Sequence, residues 1–183
     1  MFAILESLYL ILLVSFASYF DITSRKIPNF LLLSGLLFGT ISNFAKEGYL
    51  GLLNSFSGLL TGLLILIIPF ILGGMGGGDV KLMAAIGALK GWRFVLFTAI
   101  YSGIVGGIII IIILIKQKKL LITLKRVLAI ILKPILFVLT LTFENKKLKQ
   151  FNDWLLDSQI NWEKQYIPYG VAIGIGAIMS LLI

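Results

Sequence analysis

From Leu50 to Leu72, and again from Phe94 to Ile115, the chain carries no charged residue. A bilayer hydrocarbon core of about 30 Å takes roughly 20 residues of helix, so each run is long enough to cross one. In lipid every backbone polar group must find an internal partner, which restricts such runs to helices in an all-α fold. Phe2 to Phe20, broken only by Glu6 among charged residues, and Ile167 to Ile183 are runs of the same kind. Phe2–Phe20 lacks the basic start and small-residue cleavage site of a signal peptide, so it reads as a retained span. Glu6 is expected to reach the headgroup level near its end. Mean hydropathy is +1.06, far above that of a soluble domain.

The remaining expected elements are shorter. Phe30 to Ala45 follows the polar stretch Asp21–Asn29, with Pro28 suited to a helix start. Leu50–Leu72 contains Gly58-Leu59-Leu60-Thr61-Gly62, a spacing that lets helices pack closely in lipid. Pro69 should loosen the end of that helix. Asp79 to Gly91 reads as a short fourth helix. The whole is expected to be one integral-membrane domain, 1–183. It is read as a polytopic bundle of about six transmembrane helices plus one interfacial helix, with a basic cytoplasmic or interfacial insert at 116–166.

Charge orients the bundle. The chain has 16 Lys and Arg against 8 Asp and Glu. The cations cluster between apolar runs, notably Arg25-Lys26 and Lys116 to Arg126. That pattern fits the positive-inside bias and attraction to anionic lipid headgroups rather than nucleic acid. Both clusters are then cytoplasmic and both termini lie outside. The Asp21 loop and the glycine-rich stretch Gly73–Lys81 come to the same cytoplasmic face of the inner or plasma membrane.

The chemistry available is narrow. There is no Cys and no His, which removes thiol nucleophiles, imidazole bases and thiolate or imidazole zinc sites. Carboxylates beside apolar spans are functional candidates, and Asp21 and Asp79 are two such groups on one face. Either alone could cap a helix. Together they can act as general base and general acid on a shared water, with no metal and no cofactor. Gly76, Gly77 and Gly78 would let an extended peptide lie against Asp79. Lys81 either tunes the pair, meets the substrate backbone or reaches a lipid phosphate. Arg25 and Lys26 read as topology determinants, Pro28 and Asn29 as helix-start residues, and Pro168 and Gly170 as residues that let the last span pack near the site.

Gly76-Gly77-Gly78-Asp79-Val80-Lys81 resembles the GxGDxK signature of the type IV prepilin peptidase family of membrane aspartyl proteases. Asp21 with Arg25, Ile27, Pro28 and Asn29 resembles that family's first motif. Ile167-Pro168-Tyr169-Gly170-Val171-Ala172 resembles the opening of its last span. The resemblance implies that Asp21 and Asp79 are a catalytic pair. It also implies that the chain removes the short basic leader from prepilin or pseudopilin precursors, in a pilus or secretion system. Larger members carry a cysteine-bearing insert and also methylate the new amino terminus. This chain has no such insert, looks like the small peptidase-only members, for instance those of Flp/Tad-type pilus systems, and is assigned no methyltransferase role. Another GxGD-type intramembrane protease is the alternative, and a small ion- or proton-coupled carrier a more distant one.

Val127 to Phe143 is long enough to tempt a transmembrane assignment but carries Lys133-Pro134 at its centre. A cation is costly there and a proline removes a helix hydrogen bond. It is therefore expected at the cytoplasmic interface. A cysteine introduced at Lys147 should be labelled only from the cytoplasmic side; labelling from outside would overturn this topology.

Overall fold

In the computed structural model, the described residues are 2–118, 120, 121, 123 and 168–182. Among them are six helices and no strand. They are α1 (Phe2–Ser24), α2 (Asn29–Glu47), α3 (Tyr49–Ile71), α4 (Gly77–Lys90), α5 (Trp92–Lys116) and α6 (Tyr169–Ser180). The chain divides into two compact units, one of Met1–Ile108 with Pro168–Ile183 and one of Ile109–Ile167. In the second unit the description is confined to the end of α5 and a few residues beyond it. The Val127–Phe143 segment and Glu144 to Gln165 lie outside the described residues.

Among the described residues, three helices are long and apolar enough to cross a membrane: α1 over Ile4–Ser24, α3 and α5. Their outward faces carry large apolar side chains, such as Leu8, Leu12 and Phe16 on α1 and Leu60, Leu64 and Ile68 on α3. Water would not favour such faces; lipid accepts them.

The helix at the centre is the shortest of the first five. α4 has 14 residues, about 21 Å of helix at 1.5 Å per residue, and nearly all of it from Asp79 to Leu89 is buried. A helix that is apolar all round must be enclosed by others. α4 packs on α1, α2, α3 and α6. Backbone contact makes the enclosure possible. A Cβ on Gly58 would sit 2.1 Å from the Gly87 carbonyl oxygen, and one on Gly62 would sit 2.5 Å from that of Met83. The expected close-packing role of the Gly58–Gly62 pair is met, with α4 as its partner. From α2, Gly39 meets the backbone of Ala88 and Leu89 in the same way. Asn43, buried on α2, donates to Ser55 Oγ at 2.8 Å and to the Ala88 carbonyl at 3.0 Å. It thereby satisfies a carbonyl left open at the C-terminal end of α4.

Several boundaries differ from the sequence reading. α1 continues through Asp21 to Ser24, so Asp21 is a helical residue and not part of a loop. α4 begins at Gly77, which puts Asp79 inside its first turn. Only Gly48, at φ 58°, separates α2 from α3. α3 runs through Pro69 and ends two residues later.

Glu6 is the larger correction. It is 3% exposed, and its Oε1 accepts from Ser42 Oγ and pairs with Lys46, each at 2.5 Å. A carboxylate with a cation and a hydroxyl in reach does not need the headgroups. Nearby, Lys90 Nζ donates to Ser7 Oγ at 2.8 Å. This polar cluster ties α1, α2 and α4 together at the end of the bundle away from Asp21.

The backbone contact at Gly58 and Gly87 generates a stability prediction. Gly87→Val places side-chain atoms where α3 backbone now lies and is expected to cost about 2 kcal/mol or more in detergent unfolding. An unchanged midpoint would show that the α3–α4 contact is dispensable.

Candidate active site

Asp21 and Asp79 come to the same end of the bundle. They are 4% and 6% exposed, and the two carboxylates lie close enough to interact electrostatically. Each is placed by a different local device. Asp21 stands in the last turns of α1, three residues after Ser18, so the two share a face of the helix. That face meets the start of α6. The Gly170 backbone N–H donates to Asp21 Oδ2 at 2.7 Å, and Ser18 Oγ donates to the Gly170 carbonyl at 3.4 Å. A Cβ at Gly170 would lie 2.7 Å from Asp21 Oδ2, and one at Gly174 would lie 2.7 Å from Ser18 Oγ. The glycines of α6 thus let its backbone reach the carboxylate. The N–H groups at a helix start have no partner in their own helix, and here one of them is given to Asp21.

Asp79 is held by its own turn. Its Oδ2 accepts the Gly76 backbone N–H at 3.2 Å, as the third residue of a helix does in a capping box. Its Oδ1 is buried and has no hydrogen-bond partner among the described residues. A buried polar atom without a partner is unusual and calls for an explanation in chemistry.

The neighbours fall into place around this pair. Tyr169 packs its ring into the notch at Gly106 and lies within electrostatic range of Asp79. Pro168 is the N-cap of α6. Pro28 is the N-cap of α2 and Asn29 its first residue, so both are helix-start residues as expected. Arg25 follows the last residue of α1 with φ 54°, the left-handed conformation that commonly ends a helix. Lys26 is exposed on the same turn. Ile27 turns inward, 8% exposed, and lies over Gly78. Lys81 points away from Asp79 to Asn29, its Nζ donating to Asn29 Oδ1 at 3.1 Å.

The glycine stretch divides in two. Gly73 has φ 75° and needs glycine for its backbone. Gly76, Gly77 and Gly78 have no positive φ, and among the described residues a Cβ on any of them would meet only ordinary contacts, the nearest at 3.4–3.5 Å.

Sequence reasoning missed Ser18, the packing of Ile27 on Gly78 and the Lys81–Asn29 bond. Ser18 was within reach through its three-residue spacing from Asp21. The other two are contacts between segments far apart in the chain, for which no local signal exists. Among the described residues, no group of three or more carboxylate, His or Cys side chains gathers to hold a metal ion.

Neither a comparison with curated proteins nor one with solved structures finds a match. A family model does match, that of the type IV leader peptidase family, over residues 8–111. The matched region is more than half of the chain and takes in both Asp21 and Asp79. With two buried carboxylates brought together inside it, the chain belongs to the type IV leader peptidase family of proteases.

Proposed function

We propose that the protein is a membrane aspartyl endopeptidase. It removes the short basic leader of prepilin or pseudopilin precursors at the cytoplasmic face of the inner or plasma membrane, with Asp21 and Asp79 as the catalytic pair. The observation that carries this reading is the meeting of two buried carboxylates, each at a helix end, at one end of the bundle. An ion carrier would be expected to hold its charges near the bilayer midplane.

Two neighbouring carboxylates share a proton, so that one is ionised while the other is protonated. The ionised member takes a proton from a water molecule, which attacks the scissile carbonyl carbon. The protonated member gives its proton to the carbonyl oxygen, and the amine leaves with a proton returned from the pair. Asp21 is the fixed member, clamped through Oδ2 by the Gly170 N–H. Asp79 Oδ1, without a hydrogen-bond partner among the described residues, is the oxygen that would hold the water or the shared proton.

The glycines at 76–78 support a peptide substrate. Neither φ nor packing among the described residues requires glycine there. In this reading their missing side chains make room for the extended backbone of the precursor beside Asp79. Lipid headgroups meet the cations Arg25 and Lys26, and nucleic acid has no part.

Two tests bear on these roles. Asp21→Asn and Asp79→Asn should each insert normally and each lower leader cleavage at least about a hundredfold, the range for loss of a general acid or base. Substantial cleavage by either variant would contradict the pair. Gly77→Ala, whose Cβ is tolerated by the chain, should leave unfolding unchanged and raise KM for the precursor. An unchanged KM would show that the peptide does not lie there.

A further inference from the structure

The turn between α1 and α2 is joined to the first turn of α4 by two contacts. Arg25, in the left-handed conformation, reverses the chain at the end of α1. Ile27 then folds back over Gly78, where an added Cβ would lie 3.4 Å from Ile27 Cβ. One residue beyond Pro28, Asn29 Oδ1 accepts from Lys81 Nζ at 3.1 Å. Asp21 lies on one side of this junction, four residues before Arg25. Asp79 lies on the other, between Gly78 and Lys81. Both contacts therefore act on the two short segments that carry the carboxylates.

We propose that Lys81 and Asn29 are positioning residues. Their hydrogen bond clasps the α1–α2 turn to the start of α4 and so sets the separation of Asp21 and Asp79. The inference rests on the reading of those two residues as the catalytic pair. Lys81 points to Asn29 rather than to the carboxylates, so it acts on the reaction through the backbone and not through its charge. Lys81 and Asn29 are both exposed, and an exposed hydrogen bond contributes little to overall stability. Its loss therefore shows in rate and not in folding, because small misplacements of reacting groups slow catalysis steeply.

The test is a double-mutant cycle on leader cleavage of a prepilin-type precursor by the full chain in proteoliposomes, with Asp79→Asn as the inactive reference. Asn29→Ala and Lys81→Ala should each lower kcat about tenfold at unchanged KM. The double variant should be no slower than either single, because both remove one bond. Asn29→Asp, which keeps the acceptor oxygen, should retain the unsubstituted rate. Additive losses, a change confined to KM, or full activity in both alanine variants would each overturn the clasp. If Asp79→Asn is inactive while Asn29→Ala is fully active, the clasp fails and the catalytic pair stands. If Asp79→Asn cleaves normally, the pair itself falls, and the clasp with it.

Discussion

The fold depends on how closely three backbones approach around α4. Without glycine at positions 58, 62 and 87, α3 could not lie against the carbonyls of Met83 and Gly87. Lipid offers no hydrophobic drive between helices, so this close packing and the hydrogen bonds between helices hold the bundle. Asn43 fixes the far end of α4 through its last carbonyls, and the Glu6–Lys46–Ser42 cluster fixes α1 to α2 at the same end. With that end locked, the first turn of α4 is delivered to one place, and Asp79 with it.

The other carboxylate arrives by a separate route. α1 carries Asp21 some 15 residues beyond Glu6, about 22 Å along the helix, to the opposite end of the bundle. There the start of α6 meets it with a backbone donor. Three segments far apart in sequence thus converge: residues 18–21, 76–81 and 168–170. None of them makes a site alone. The proposed division of labour follows from the asymmetry of the two carboxylates, one clamped from another helix and one capped by its own turn with an oxygen to spare.

What the sequence revealed and what it hid have a common cause. Length and uncharged composition expose a membrane helix directly, so α1, α3 and α5 were legible. The cation clusters and the two isolated aspartates were legible because charge is rare in such a chain. Amphipathic periodicity, which marks helix faces in soluble proteins, is weak where both faces are apolar. The sequence therefore showed no sign that α4 is enclosed; Pro168 and Gly170 pointed to a last span packed near the site, and the Gly170 N–H does meet Asp21, but nothing marked the role of Ser18 on the same face. The burial of Glu6 was hidden for the same reason, since its partners Ser42 and Lys46 come from another helix. The glycines at 76–78 read as a loop, yet two of them open a helix, because the Asp79 side chain caps the turn they form.

The central claim is that Asp21 and Asp79 form one site. Because the chain has no cysteine, the claim can be tested without relying on catalysis. Asp21→Cys and Asp79→Cys would be combined in one full-length chain, in membranes, and treated with dibromobimane, which becomes fluorescent when it bridges two thiols. The account predicts a fluorescent intramolecular product for this pair and none for Glu6→Cys combined with Asp79→Cys. Equal labelling of both aspartate-derived thiols without bridging would contradict it.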